Sequence, residues 1–241
     1  MTRKTTDKQP NLYHAHRERQ HRRILDGARK LFDERGIDRV TMAEITSASG
    51  VQPSTIYQYF ANKDDIVWAL LSESMQEASR RAKLRVDAAP SALARLTALL
   101  DFMADELATN QLEVRFMAQF DAIYAHDWPA ERLITLESQI NPEGFLVFTN
   151  LIREGIAEGS LRSDLDPDLT MHAVINAVIG AQRRLASLGK KVEAEYGKPI
   201  DRLFRETIRV LLLGLRVPEA PARPHPQKQK TPKSPSRKRS S

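Results

Sequence analysis

The sequence predicts an all-α protein, with an N-terminal three-helix helix-turn-helix headpiece and a larger C-terminal helical domain. Three observations predict the helices. Apolar residues recur at three- and four-residue spacing in segment after segment, most cleanly at Ile200, Leu203, Phe204, Ile208, Leu211, Leu212 and Leu215. Capping residues stand where those segments begin, as at Thr41, Asn62 and Asp166-Pro167. No stretch reads as a strand and no internal repeat is visible. The expected division is a disordered basic arm at 1–16, the headpiece at 17–63, the body at 64–216 and a disordered tail at 217–241.

In chain order, residues 1–16 lack periodicity. The first helix is expected from near Arg17 to Arg35, with Ile24, Leu25, Ala28, Leu31 and Phe32 on one face. Arg17, Arg19, Arg22 and Arg23 crowd its start, the unfavourable end for cations. Either solvent or an outside anion must compensate them. Thr41 and Glu44 have capping-box spacing for a second helix carrying Ala43, Ile45 and Ala48. Gly50 tolerates the positive φ at which a helix stops. Pro53 suits the first turn of a third helix, which Ile56 and Phe60 bury. Asn62 opens a long helix to about Val86, with Asp64 and Asp65 in the first turn, where carboxylates are favoured. Further helices are expected from Ser91 to Asn110, from Leu112 to Ala125, and after Trp128-Pro129 to about Gly155, with a break at Asn141-Pro142. Arg153 to Leu165 reads as a loop. Helices from Asp166 to Leu188 and from Pro199 to Arg216 close the body. Six prolines and seven basic residues in 217–241 predict disorder.

The stretch from Ile24 to Ile66 resembles the DNA-binding headpiece of the tetracycline-repressor (TetR) family of transcriptional regulators. The resemblance rests on Ile24-Leu25, Ala28, Leu31-Phe32, Gly36, Thr41, Ile45, Gly50-Val51, Thr55-Ile56-Tyr57, Tyr59-Phe60 and Lys63. Gly27 and Thr46 depart from the usual alanine, and Gln52 from a frequent serine. The resemblance implies that Thr41 and Lys63 meet phosphates, while Gln52, Pro53, Ser54, Tyr57 and Tyr59 meet bases or backbone. The chemistry agrees. Glutamine can pair bidentately with adenine, and proline offers only an apolar edge, as to a thymine methyl. Helix starts after Thr41 and Asn62 offer free N–H groups to phosphate. Both tyrosines are expected to lie outward against a duplex; the alternative is that they pack internally, which is expected in part for one ring.

Charge distribution fits such a partner. Residues 1–63 carry a net charge of +5, 64–216 of −5, and 217–241 of +6. A basic head on an acidic body fits a polyanion for the head alone. The tail either adds sequence-independent attraction to DNA or is simply solvated. The chain has no cysteine, which excludes disulfides and thiolate metal sites. No apolar run reaches membrane-span length and the N-terminus has no apolar signal region. The expectation is a cytoplasmic protein without membrane contact.

In the body, Phe102, Met103, Phe116, Met117, Phe120, Tyr124, Phe145 and Phe148 are the candidate lining of an apolar ligand pocket. Each is equally readable as ordinary core, and the family resemblance is what favours a pocket. Ala173, Ala177, Ala181, Phe204, Ile208, Leu211 and Leu212 are the candidate dimer interface; the same helices must also close the chain's own core. Two headpieces roughly 34 Å apart would read half-sites one helical turn apart. The histidines His14, His16, His21, His126 and His172 lack metal-ligand spacing, so no metal is expected. Nor is there a catalytic or cofactor fingerprint, so neither a catalytic residue nor a cofactor is assigned. The expected function is a homodimeric, ligand-responsive transcriptional regulator, most readily a repressor released from a double-stranded DNA operator by an apolar small molecule, and not an enzyme. The rival is a helical-bundle binding protein or enzyme without sequence-specific DNA binding.

Overall fold

The computed structural model describes residues 9–125, 130–140 and 146–218. Within them lie eleven helices: α1 Gln9–Arg35, α2 Met42–Ser49, α3 Pro53–Tyr59, α4 Lys63–Asp87, α5 Ala92–Thr109, α6 Gln111–Tyr124, α7 Ala130–Ile140, α8 Leu146–Ala157, α9 Pro167–Leu188, α10 Lys190–Tyr196 and α11 Ile200–Leu215. Among the described residues there is no strand, only an isolated antiparallel bridge between Leu161 and Arg216.

Four helix starts, those of α2, α4, α5 and α9, are capped by side chains. Ser91, Asn62 and Asp166 each accept a hydrogen bond from the backbone N–H three residues on, at 3.3, 3.0 and 2.8 Å. Three boundaries differ from expectation. α1 begins at Gln9 rather than near Arg17, so half of the expected arm is helical. Pro10 sits in its first turn, where a missing N–H is harmless, and nothing from 11 to 16 breaks a helix. α8 runs to Ala157, so Arg153 to Ala157 is helix and not loop. Gly155 is the reason: a Cβ there would lie 2.6 Å from Leu161 Cδ1, so this glycine serves the packing of a returning chain rather than a turn. α10 escapes the sequence reading because seven residues with one buried apolar side chain, Val192, between Gly189 and Gly197 resemble a loop.

The buried residues form two large cores and a satellite. The first joins Ile24, Leu25, Ala28 and Phe32 of α1 to Ile45 of α2, Ile56 of α3 and Ile66, Val67 and Leu70 of α4. It does not end with the headpiece, because Phe116 and Phe120 of α6 and Leu136 of α7 belong to it. The second core is the body: Leu96, Leu100, Val114, Ile152, Met171, Val178, Phe204, Ile208 and Leu212, among others. The satellite holds Ala82, Val86, Leu99, Phe102 and Leu151.

These cores bear on the expected dimer interface. Phe204, Ile208 and Leu212 are buried in the chain's own body core, packed against α5 and α9. The face of α11 that points outward carries Val210 and Leu213 instead, 56% and 55% exposed. The reason is the breadth of the apolar stripe. Residues at three- and four-residue spacing share one face, and that face was consumed by the body.

Candidate nucleic-acid interface

The turn between α2 and α3 is built from side-chain bonds. Thr41 is extended (φ −106°, ψ 159°), and its Oγ1 accepts from the Glu44 N–H at 3.3 Å. Glu44 reaches back to accept from the Thr41 N–H at 2.9 Å and from its hydroxyl at 2.8 Å. These bonds, with Arg35 at 2.6 Å, hold the Glu44 carboxyl below the usual carboxylate range. Gly50 ends α2 in the left-handed conformation (φ 61°, ψ 26°). Its carbonyl accepts from Arg23 Nη2 at 3.1 Å, which fixes the turn to α1. A Cβ on Gly27 would lie 3.0 Å from the Ser49 N, so the glycine that departs from the family pattern lets α1 lie close against the end of α2.

α3 is anchored by one side only. Ile56 is fully buried and Phe60 nearly so. Gln52 precedes the helix without making a capping bond, and Pro53 opens it. Gln52, Pro53, Ser54, Tyr57 and Gln58 are all exposed, as is Thr41. Tyr57 has 58% of its surface open. Tyr59 is half-buried, packed on the headpiece core with its ring 6.1 Å from His21 and 5.8 Å from the Arg17 guanidinium. One tyrosine therefore points out and the other is largely internal. Lys63 is half-buried too, and its Nζ donates to the Ile37 carbonyl at 2.9 Å. An ammonium has three donors, so two are left for an external acceptor.

A helical hairpin whose first helix is capped by Thr41 and whose second is opened by Pro53, with a polar and aromatic outer side, has the form that enters a major groove. The family described as bacterial regulatory proteins, tetR family, matches residues 24–70, the segment just described. The KstR2 HTH-type transcriptional repressor of Mycolicibacterium smegmatis is 29% identical over 147 residues, covering 61% of this chain and 69% of that one. The chain carries a TetR-family headpiece at residues 24–70. It is a DNA-binding transcriptional regulator. Two solved structures share the TetR-family fold with it. The ketosteroid regulator KstR2 of Mycobacterium tuberculosis aligns at a TM-score of 0.61 and 22% identity, over 82% of this chain and 95% of that one. A putative regulator from Saccharomonospora viridis, solved with choline, aligns at 0.65 and 20%, over 82% and 98%.

The body divides the described members of the expected pocket set between cores. Phe116 and Phe120 lie in the headpiece-facing core, with Met117 and Tyr124 packed on it. Phe102 lies in the satellite core on the other side of α5, and Met103 bridges it to the body core. Phe145 and the side chain of Phe148 fall outside the described residues, as do His126 and Trp128. Among the expected interface residues, Ala173 and Ala177 are exposed on α9, while Ala181 and Leu211 are half-buried. Among the described residues no cluster of His, Asp or Glu could hold a metal, and no helix is long and apolar enough to cross a membrane.

What the sequence reading missed is the junction between headpiece and body. The Tyr124 hydroxyl donates to Asp64 Oδ1 at 2.5 Å, and burial followed by that bond pushes the Tyr124 pKa well up. Arg132 of α7 pairs with Asp65 at 3.5 Å and lies 4.4 Å over the Trp68 ring. Gln119 accepts from the Ile37 N–H at 3.1 Å, and Arg29 pairs with Glu113. These partners stand 60 to 84 positions apart in sequence, and no local spacing signals them.

Proposed function

We propose that the protein is a homodimeric repressor that holds an operator through α3 and releases it when a small molecule binds the body. The observation that carries the reading is the one-sided anchoring of α3. Ile56 is sealed in the core while Tyr57 beside it is open. In this reading Gln52, with no helix-capping duty, pairs with adenine. Pro53 meets a thymine methyl, and Ser54, Tyr57 and the exposed edge of Tyr59 meet bases or backbone. Thr41 and Lys63 engage phosphates together with the free N–H groups of the first turns of α2 and α4.

The two copies pair through the outward sides of α9 and α11. Ala173, Ala177, Val210 and Leu213 are exposed there, with Ala181 and Leu211 at the margin. Adjacent apolar side chains left open on a soluble chain mark a contact surface. The repressor reading follows the name of the M. smegmatis relative. The effector is apolar and enters beside Phe102 and Met103, because a satellite core of few side chains opens at lower cost than the two large ones. A coupling of about 1–3 kcal/mol would then weaken operator binding roughly 5- to 150-fold. The effector must bind the two dimer shapes unequally, or nothing moves.

Gel shift against fragments selected from the source genome, including the DNA flanking its own gene, tests the reading. Tyr57→Ala and Lys63→Ala are each expected to weaken operator binding while the dimer stays folded. Unchanged binding in both variants, or a particle that remains single at high concentration, overturns it.

A further inference from the structure

We propose that the N-terminal half of α1 forms an auxiliary clamp on the phosphodiester backbone of the same duplex that α3 reads, built on Arg17 and Arg19. The inference rests on the assignment of α3 as the recognition helix. Four arginines stand against one glutamate between positions 14 and 23. The fold does not spread these charges over a convex surface. It sets Arg17, Arg19 and Arg22 along an open depression of about 820 Å³ whose other wall is Gln58 and Tyr59 of α3. The depression is therefore continuous with the proposed DNA face. Arg17 lies across the Tyr59 ring, so its guanidinium is held beside the end of the recognition helix. Arg19 is exposed and has no ion-pair or hydrogen-bond partner among the described residues. Arg22 and Arg23 are committed elsewhere, to Glu73 at 3.0 Å and to the Gly50 carbonyl. Glu18 is the one carboxylate on the rim. Exposed guanidiniums in a concave wall suit phosphate oxygens, and contacts of this kind position a protein without reading sequence.

The test uses the full-length protein. A labelled duplex carrying a site recovered from genomic selection is compared with a scrambled duplex of equal length, across salt concentrations. Each phosphate contact removed lowers the slope of log K against log salt by roughly 0.9, so Arg17→Gln/Arg19→Gln should lower it by roughly 1.8 per headpiece. The ratio of affinities for the two duplexes should hold, since no base contact is lost. Arg19→Gln alone, at a side chain with no hydrogen bond or ion pair among the described residues, should lower the slope by roughly 0.9 per headpiece without changing the melting curve. A wild-type slope in both variants overturns the clamp, as it would if the groove received an acidic segment of another protein. Failure of the recognition-helix assignment shows separately, as a wild-type protein that does not prefer the selected duplex.

Discussion

Tyr124→Phe is expected to cost about 1 kcal/mol of stability and to weaken operator binding by up to about fivefold. Tyr124 closes α6 and Asp64 lies in the first turn of α4, so their 2.5 Å hydrogen bond ties the body to the helix that leaves the headpiece. A hydrogen bond to a charged group contributes about 1.5–3 kcal/mol, but Asp64 is exposed and water will take the vacated position, which lowers the figure to about 1. Phenylalanine keeps the stack on Phe120, where the ring centroids are 4.8 Å apart, so no packing is lost with the hydroxyl. Asp64→Ala also removes a carboxylate from a helix N-terminus, a further loss of about 0.3–1 kcal/mol, which a double-mutant cycle subtracts. Urea denaturation of the four proteins at one fixed protomer concentration should give a coupling energy of about 1 kcal/mol. If that energy all goes into placing the headpiece, it corresponds to about fivefold in operator affinity, since about 1.4 kcal/mol is tenfold. A coupling energy below about 0.3 kcal/mol would show that the bond organises nothing. Full coupling in stability with unchanged operator affinity would show that the junction holds the chain together without positioning α3.

Other outcomes follow from the same geometry. Thr41→Ala removes the capping oxygen of α2 and should cost about 0.5–2 kcal/mol in thermal unfolding, with Thr41→Ser restoring most of it; an unchanged melting point would mean the cap is idle. Gly50→Ala places a methyl at φ 61° and 2.8 Å from Arg23 Nη2, so Arg23 must swing off the Gly50 carbonyl. The left-handed conformation alone should cost about 1–2 kcal/mol, and a melting curve at or above wild type would refute it. Acid should destabilise the protein. Arg205 and Arg85, at 2.6 and 2.5 Å, hold the Asp105 carboxyl below its ordinary range. A lowered folded pKa contributes stability above the unfolded pKa that is lost as pH falls through the folded value. Asp33 has the opposite sign, because burial and then Glu113 raise it: what it contributes is present below its unfolded pKa and lost as pH rises through the folded one. Lowered carboxylates outnumber it, so the urea midpoint should fall between about pH 5 and about pH 3, less steeply in Asp105→Asn; a level midpoint would refute the assignment.

The headpiece was legible because its information is local. Thr41 and Glu44 are three apart, Gly50 and Pro53 bracket the turn, and Ile56 and Phe60 share a helical face, so each feature reads from a handful of neighbours. The alternative, that one tyrosine ring packs inward in part, matches the contacts of Tyr59, though which ring could not be read from spacing: it depends on where Arg17 and His21 of α1 lie. The body was legible as helices and not as surfaces. Phe204 and Leu213 are both apolar residues of α11, and only the position of α5 and α9 decides that the first is core and the second is open. The described aromatic residues of the expected pocket set divide for the same reason. α5 presents Phe102 to one core while α6 presents Phe116 and Phe120 to another.

That division bears on how a signal would travel. A line drawn at Lys63 treats α4 as the sole link between head and body, and a lone lever could move the headpiece while the rest stayed still. The packing rules this out. Phe116 and Phe120 are as much part of the headpiece core as Ile45 is, and Gln119 between them bonds the backbone at Ile37. Ile37 also supplies the carbonyl that holds Lys63. Any displacement of α6 is therefore transmitted to the loop before α2 and to the first residue of α4 together, on both sides of the recognition helix. Close-packed cores resist graded deformation, so the headpiece should follow α6 as a unit, with α3 carried along and its internal geometry kept. An effector that shifts α6 would then change the spacing of two intact reading heads rather than dismantle either one.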